Sequence, residues 1–284
     1  MKKIETSWNC LDCSLSLEKP ILVGILNVTP DSFSDGGSFV KQELAISHAL
    51  KMAEEGASMI DVGGESTRPG ASRVSPEEQI KRIIPVIEGI VNKSNICISV
   101  DTTSYEVAKR AIAAGVSVIN DVSAGNESEN MFSLAAETNV GLVLMHRRLS
   151  PELDNYSNEY YEDPQSDDIV SDVSEWLMNR VDLALSDGVS KDSIAIDPGL
   201  GFGKSVEQNI ELMENMAHFV HLGFPVYVGV SRKSFVGVTT GIESPCMRDR
   251  DSALMALNIF EQGAQIFRVH NISEHVRVLQ SQLN

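Results

Sequence analysis

The chain has 284 residues, of which 42% are hydrophobic and 22% charged, which allows a large core in one or two domains. Its formal net charge of −17 excludes the basic surface that nucleic-acid binding requires. No apolar run reaches the roughly 18 residues that cross a membrane, and the N-terminal sequence MKKIETSWNCLDCS lacks the apolar stretch of a secretory signal. We therefore expect a cytoplasmic protein that binds neither nucleic acid nor membranes.

The cysteines indicate reduced thiols and not a metal site. Cys10 and Cys13 form a CxxC pair, but no second pair and no nearby histidine accompanies them. Unpaired thiols are the usual state of cysteine in a cytosolic protein. We therefore expect all four cysteines to be free.

Eight short apolar runs recur along the chain, and each is followed by polar or glycine-rich residues and then by helical sequence. Because these runs are almost continuously apolar, they are typical of parallel strands covered on both faces. They are Ile21–Leu26, Ser58–Val62, Ile96–Val100, Ser117–Ile119, Gly141–Met145, Ser193–Ile196, Pro225–Val230 and Ala264–Val269.

The segments between the runs carry helix start and end signals. Ser75, followed by Pro76 and Glu78, predicts a capped helix start. Ser104, Ser205 and Ser273 are expected to begin further helices. Glycines at 56, 115, 188 and 263 follow helical sequence and predict helix ends. An apolar stripe predicts one long amphipathic helix: Val173, Trp176, Leu177, Val181 and Ala184.

Eight strand–helix units fit a single α/β domain, a (β/α)8 TIM barrel, with an open doubly wound sheet as the structural alternative. No linker divides the chain, so we expect one domain over residues 1–284, with a lead-in at 1–20 and an acidic insertion at 149–168. Between Arg148 and Arg180 there are nine Asp or Glu residues and no Lys or Arg. Such a charge run predicts a solvent-exposed loop.

The carboxyl ends of barrel strands form the active-site rim. Asp101, Asn120 and Asp197 stand at these positions. Their acceptors and single amide suit a flat heterocycle with several N–H donors along one edge. Strand-end carboxylates also bind divalent metals or cap loops, so each residue alone is ambiguous.

Positive charge gathers at the same rim of an acidic chain. It comes from Arg68, Lys233, Arg268 and His270. Arginine forks match phosphate oxygens in bidentate geometry, which predicts an anion site. In the alternative interpretation the arginines pair with nearby acids, above all at Arg232.

The stretch Asp197–Ser205 is glycine-rich but is not a phosphate loop. Pro198 occupies the position at which a Walker A motif requires glycine. The glycines instead let the backbone approach a ligand closely. Phe202 and Met145 are candidate apolar walls for a flat ring.

Eight motifs together closely resemble those of dihydropteroate synthases. In order they are GILNVTPDSFSDGG, IDVGGESTRPGA, SVDTT, VINDVSAG, LVLMH, IDPGLGFGK, VGVSRKSFVG and FRVHN, from Gly24 to Asn271. The resemblance implies a TIM barrel and a homodimer. It also implies a transferase that joins 6-hydroxymethyl-7,8-dihydropterin diphosphate to 4-aminobenzoate and releases diphosphate with the help of Mg2+. Sulfonamides are expected to compete as inhibitors.

The resemblance also assigns roles to individual residues. The pterin would be held by Asp101, Asn120, Met145, Asp197, Lys233 and Arg268. The diphosphate would be held by Asn27, Arg68, Arg268 and His270, with Asn27 at the metal. The 4-aminobenzoate pocket would be lined by Phe33, Thr67, Pro69, Phe202 and Ser234. The catalytic set would be Asp35, Arg68, Lys233, Arg268 and His270.

The chain departs from the family pattern after His146. Many members continue with a short Met/Gln/Gly stretch, whereas Arg147, Arg148 and the acidic insertion follow here. Two other functions remain open: a pterin-dependent methyltransferase barrel and a non-catalytic pterin-binding paralogue. The residues assigned to a diphosphate clamp favour the synthase, because a methyl transfer has no use for such a clamp.

Overall fold

A computed structural model describes residues 7–29, 38–160, 164 and 166–280. The strands are β1 (Ser7–Cys10), β2 (Cys13–Ser16), β3 (Ile21–Asn27), β4 (Met59–Gly63), β5 (Cys97–Asp101), β6 (Val118–Asp121), β7 (Gly141–Met145), β8 (Ile194–Asp197), β9 (Tyr227–Val228) and β10 (Ile266–Val269). The α-helices are α1 (Ser38–Glu54), α2 (Pro76–Val91), α3 (Tyr105–Ala113), α4 (Met131–Thr138), α5 (Ile169–Ser186), α6 (Val206–Glu214), α7 (Met216–Val220), α8 (Ser234–Thr240), α9 (Asp249–Glu261) and α10 (Ile272–Gln280).

The predicted barrel is confirmed. Strands β3 to β10 form one parallel sheet in the order β8-β7-β6-β5-β4-β3-β10-β9. A parallel bridge between Ile196 and Val226 joins its two ends and closes the barrel. The seventh predicted run has regular strand geometry over two residues only. Next to it the Gln265 side chain accepts the Val226 N–H at 3.0 Å, so a side chain replaces part of the strand ladder.

Helix starts follow the predicted caps with one exception. Ser75, Ser104 and Ser205 each accept a backbone N–H of the first turn of α2, α3 and α6. The predicted cap at Ser273 is wrong, because α10 begins at Ile272. Asn271 serves there instead, and its Oδ1 accepts the Glu274 N–H at 3.1 Å. Asparagine caps as well as serine does, and it stands two residues earlier.

The amino-terminal end of the barrel is covered by a hairpin that the sequence analysis treated only as a lead-in. Strands β1 and β2 pair antiparallel, and Trp8 and Cys10 are fully buried. They pack among barrel residues that include Met59, Val143 and Tyr227. The Trp8 indole donates to the Ser193 carbonyl at 2.9 Å. All four cysteines are free thiols, as expected.

The expectation of a solvent-exposed acidic loop is wrong for part of residues 149–168. Two one-turn 3-10 helices, Pro151–Leu153 and Ser157–Glu159, lie there, and Pro151, Asp154 and Ser157 are buried. Asp154 tolerates burial because it accepts the Gly203 N–H at 3.0 Å and the Tyr160 hydroxyl at 2.6 Å.

Within the described ranges, none of the helices is both long and apolar enough to cross a lipid bilayer.

Candidate active site

The strand register brings the predicted site residues to one level of the carboxyl rim. Asn27 and Asp101 are both neighbours of Gly63 on β4, and Asp101 pairs with Asn120. On the other side, Met145 pairs with Asp197. A Cβ added at Gly63 would lie 3.5 Å from both Asn27 Oδ1 and Asp101 Cβ. The glycine therefore leaves these two side chains facing a shared space.

A buried acid network surrounds Arg268. Its Nε donates to Asp61 Oδ2 at 2.6 Å, and its Nη2 donates to Asp101 Oδ2 at 2.7 Å. Asp61 is fully buried, and it also accepts from Ser99 Oγ at 2.6 Å and Asn120 Nδ2 at 3.0 Å. Arg268 thus reaches from β10 to β4 and β5 and holds two carboxylates in place. Charge-assisted hydrogen bonds of this kind fix geometry strongly.

Asp61 is the site residue that sequence reasoning missed. It stands in the middle of an apolar strand, where a carboxylate is rarely buried unless it is paired. An aspartate inside the predicted strand Ser58–Val62 was the available signal. Only the three-dimensional structure shows the arginine, from the far end of the chain, that pairs with it.

Asp101 presents an acceptor with no partner in the described part of the chain. Its Oδ1 atom is buried and receives no hydrogen bond there. Burial raises the pKa of the Asp101 carboxyl to about 7, and the Arg268 guanidinium opposes that rise. A buried acceptor left open costs free energy unless a donor arrives. The atom is therefore suited to accept an N–H from a bound heterocycle.

Asp197 and Lys233 lie close enough at the rim for each to influence the charge of the other. Asp197 Oδ1 accepts the Gly199 N–H at 2.7 Å. Burial raises the pKa of Asp197 to about 6, whereas burial lowers the pKa of Lys233 to about 8. The Lys233 ammonium donates to the Leu200 carbonyl, and its Nζ lies 3.9 Å from the centre of the Phe202 ring. Asp101, Asn120 and Asp197 are here named the acid edge. The lysine thus links the acid edge to Phe202, a predicted wall of the 4-aminobenzoate pocket.

The glycine-rich stretch after β8 is organised by a buried lysine. Lys204 Nζ donates to the carbonyls of Gly199 at 2.8 Å and Phe202 at 3.1 Å. Gly199 has a positive φ of 68°, and a Cβ there would lie 1.8 Å from the His146 carbonyl oxygen. The stretch therefore folds around the Lys204 amine, whose pKa burial lowers well below its usual value. At Gly199 the closely approaching group is the chain's own backbone, whereas the sequence predicted a ligand there.

The positive residues differ in how they are paired. Arg232 makes a bidentate contact with Asp249, at 2.6 and 2.8 Å, so the pairing interpretation holds for it. It holds for Arg268 as well, which pairs with Asp61 and Asp101. Arg68 is exposed, and its guanidinium has no hydrogen bond or ion pair with any described residue. Its charge is therefore available to a ligand.

His270 is neutral at pH 7. Burial, with Arg232, Arg268 and Arg68 nearby, lowers its pKa to about 3. Its Nδ1 lies 3.0 Å from Ser231 Oγ, which already accepts the His270 backbone N–H at 3.1 Å. When that hydroxyl donates its own proton to Nδ1, the imidazole proton is on Nε2. Nε2 is then a neutral donor.

The predicted 4-aminobenzoate residues fall into two groups. Thr67 and Pro69 lie in the loop between β4 and α2, and Ser234 begins α8. Ser234 Oγ accepts the Ser157 N–H at 3.1 Å, so the acidic insertion contacts one of these predicted residues. Phe33 of this set lies outside the described residues, and so does Asp35, which was predicted as catalytic.

The described residues do not form a metal site by themselves. Among the described residues, no group of three or more His, Cys, Asp or Glu side chains is placed to hold a metal ion. The predicted metal residue, Asn27, supplies a single partly buried amide oxygen.

Comparison with known proteins agrees with this architecture. A family model described as pterin binding enzyme matches residues 23–270. The dihydropteroate synthase of Streptococcus pyogenes (serotype M6) is 44% identical over 253 residues, which are 88% of this chain and 90% of that protein. The Bacillus subtilis enzyme is 42% identical over 261 residues, 92% of this chain and 87% of that protein.

Solved structures agree over nearly the whole chain. Xanthomonas albilineans dihydropteroate synthase with 4-aminobenzoic acid has a TM-score of 0.89 at 40% identity, covering 98% of this chain and 97% of that one. The same protein in complex with 7,8-dihydropteroate has a TM-score of 0.86 at 37% identity, with 98% and 97% coverage. A Yersinia pestis dihydropteroate synthase with a sulfonamide drug has a TM-score of 0.88 at 36% identity, with 97% coverage of both chains.

The barrel and its acid edge thus define a pterin-binding enzyme. Within that class, the chain belongs to the dihydropteroate synthase family.

Proposed function

We propose that the chain joins 6-hydroxymethyl-7,8-dihydropterin diphosphate to 4-aminobenzoate, forming 7,8-dihydropteroate and diphosphate. The observation that carries this proposal is the coexistence of an acid edge and an anion site on one rim. Asp101 Oδ1 is an open buried acceptor, and the Arg68 guanidinium is free of described partners. A pterin-dependent methyltransferase needs only the first of these.

The pterin is proposed to lie along the acid edge. Asp101 and Asp197 accept its N–H groups, and Asn120, held by Asp61, supplies the amide. Met145 lies beside the Gly199 turn, where it packs against the ring face. Arg268 keeps Asp101 in position and lies against one face of the proposed pterin. Lys233, which is influenced by the charge of Asp197, lies at the pterin edge.

Departure of diphosphate leaves a pterin methylene cation, which we propose is delocalised into the ring. The ionised acid edge stabilises that cation, because its charges are already oriented and largely removed from water. Arg68 and Arg268 stabilise the departing diphosphate, and His270 donates one N–H to it. The neutral aromatic amine then attacks the methylene carbon, and its nitrogen loses one proton to water or to the released diphosphate. Asp35 stays a predicted catalytic residue.

Asn27 is the proposed protein ligand of Mg2+. Magnesium is commonly held by one or two protein oxygens, with substrate phosphates and water completing its octahedron. A single amide oxygen facing the space left by Gly63 fits that pattern. When bound, the ion would neutralise diphosphate charge.

The acceptor pocket is proposed to lie between Thr67 and Pro69 on one side and Phe202 and Ser234 on the other, with Phe33 completing it. Sulfonamides resemble 4-aminobenzoate in shape and are expected to compete there. A cytoplasmic homodimer is part of the same proposal, and sedimentation equilibrium tests the dimer.

The test is turnover by the purified protein with the pterin diphosphate and Mg2+, with and without 4-aminobenzoate. We expect diphosphate and 7,8-dihydropteroate in equal amounts, and inhibition by a sulfonamide that added 4-aminobenzoate relieves. Pterin binding without turnover would identify a binding paralogue instead.

Positional isotope exchange in the diphosphate, measured without the amine, tests the dissociative step. Scrambling of the bridging oxygen is expected if the C–O bond breaks before the amine attacks. A complete lack of scrambling without the amine, in protein that turns over once the amine is added, would contradict it.

A further inference from the structure

The segment Pro151–Tyr160, here named the rim strap, contacts three separate loops of the rim. Toward the loop after β4, the Pro151 carbonyl accepts the Gly70 N–H at 2.8 Å. Glu152 lies 3.1 Å from Arg73 Nε in the same loop. That loop also carries the predicted acceptor residues Thr67 and Pro69.

The strap is held from the other side by the glycine-rich stretch and α6. Asp154 accepts the Gly203 N–H at 3.0 Å, next to Phe202. Ser157 is buried, and its Oγ accepts from Asn209 Nδ2 at 3.1 Å. Because Asn209 also accepts the Gly201 N–H at 2.6 Å, one residue ties the strap to the Phe202 loop.

The third contact reaches the acceptor pocket itself. The Ser157 backbone N–H donates to Ser234 Oγ at 3.1 Å. A serine hydroxyl has one proton and two lone pairs. When one lone pair is occupied by this N–H, the hydroxyl proton is directed away from Ser157. The Ser234 hydroxyl proton is then left for another acceptor, such as a bound ligand.

We propose that the rim strap is a built-in wall of the acceptor subsite and that Ser157 is a positioning residue for Ser234. The Ser157 N–H orients the Ser234 hydroxyl to donate to the carboxylate of 4-aminobenzoate. This inference rests on the proposed function, because it assumes that the pocket takes that acceptor. It also gives a reason for the buried Asp154 and Ser157 in a mostly exposed acidic segment: Asp154 anchors the strap to Gly203, and the Ser157 N–H serves the pocket.

The chain offers a closely matched pair of variants. Ser157 is the first residue of its 3-10 turn, and Tyr156 before it is extended, with φ −65° and ψ 147°. Proline is accepted at such a position, and it removes the N–H. Ser157→Ala keeps the N–H and loses only the hydroxyl. The difference between Ser157→Pro and Ser157→Ala therefore isolates the donor to Ser234.

The expected result is a KM for 4-aminobenzoate about tenfold higher in Ser157→Pro than in Ser157→Ala, with kcat changed less than twofold. The Kd of the pterin diphosphate should be equal in the two. In a Ser234→Ala background, the two Ser157 variants should no longer differ, because the hydroxyl that is oriented is gone. Leu153→Ala, on the exposed side of the strap, serves as a neutral control.

Equal KM values for the two Ser157 variants, or equal shifts for both substrates, would overturn the inference. If Ser157→Pro does not fold, a second pair of variants takes its place. Asp154→Ala removes the hydrogen bond between the strap and Gly203, whereas Tyr160→Phe leaves that hydrogen bond intact. Absence of turnover by the unmodified protein would instead overturn the proposed function. In that case calorimetry tests the inference. The Kd of 4-aminobenzoate, measured with a pterin and diphosphate present, is then compared between Ser157→Pro and Ser157→Ala.

Discussion

At the amino-terminal end of the barrel, Trp8 of the hairpin is buried against residues such as Met59 and Tyr227, whereas at the carboxyl end the buried groups include Asp101 and Arg268. The first end excludes water with apolar surface. The second end buries ionised or easily ionised groups and leaves Asp101 Oδ1 without a described partner.

The difference teaches which end is maintained for stability and which for binding. Apolar burial stabilises the fold by about 25 cal/mol per Å2. Burial of an unneutralised charge destabilises it, and the raised pKa values of Asp101 and Asp197 record that strain. Such groups persist where a ligand supplies the missing partners.

The largest effect is expected from Arg268→Met at the carboxyl end. Removing the guanidinium leaves two buried carboxylates without their cation, which should cost about 3–5 kcal/mol of unfolding free energy. Diphosphate release should fall at least about 100-fold. Urea unfolding and the turnover assay measure the two effects.

Arg268→Lys is the matched control for that variant. It keeps the positive charge but not the two parallel N–H donors of the guanidinium. Relative to Arg268→Met, it should therefore restore stability more than activity. Full activity in Arg268→Met would contradict the role given to this network.

Trp8→Ala tests the amino-terminal end. Truncating a fully buried indole should cost about 3–5 kcal/mol of unfolding free energy, while the KM values for both substrates stay within about twofold. Urea unfolding and steady-state kinetics check this. Trp8→Phe loses mainly the hydrogen bond to Ser193 and should cost about 1 kcal/mol. A changed KM with unchanged stability would mean that the hairpin reaches the site.

A smaller contrast lies within the rim, between Arg68 and Arg232. Arg68→Ala should lower kcat/KM for the pterin diphosphate by about 10- to 100-fold and leave the unfolding free energy within about 0.5 kcal/mol, because the residue has no described partner to lose. Arg232→Ala breaks the fork to Asp249 and should lower stability more than activity. Thermal unfolding and steady-state kinetics measure the two effects. Lower stability in Arg68→Ala together with lower activity in Arg232→Ala would contradict the roles given to these arginines.

The barrel was readable from the sequence because each of its strands lies in a short apolar run and many of its helices have a cap or a glycine end. The register then follows from the barrel, which explains why Asp101, Asn120 and Asp197 were correctly placed on one rim. Local pattern does not reveal pairing between distant parts of the chain. Asp61 was missed because its partner Arg268 is 207 residues away.

Two other features escaped for the same reason. The hairpin at Ser7–Ser16 is made of short strands whose burial depends on the barrel floor and not on their own sequence. The acidic insertion has the composition of a solvated loop. Three of its residues are nevertheless buried, because the rim supplies their partners. Composition describes the average exposure of a segment and not its anchors.

The most direct test of the acid edge is the pH dependence of pterin affinity. Calorimetry should use 6-hydroxymethyl-7,8-dihydropterin, which lacks the diphosphate and its titrations. The pKa values of Asp101 and Asp197, raised to about 7 and about 6, mean that both carboxyls are largely protonated at low pH in the free protein. Ionised carboxylates accept the N–H groups of the pterin, so affinity should rise with pH.

We predict that the Kd falls at least about tenfold between pH 5.5 and pH 8, with protons released on binding at the lower pH. Asp101→Asn should bind more weakly at pH 8 and lose most of this dependence. A Kd independent of pH, or one that rises with pH, would contradict the claim that these buried carboxylates hold the pterin.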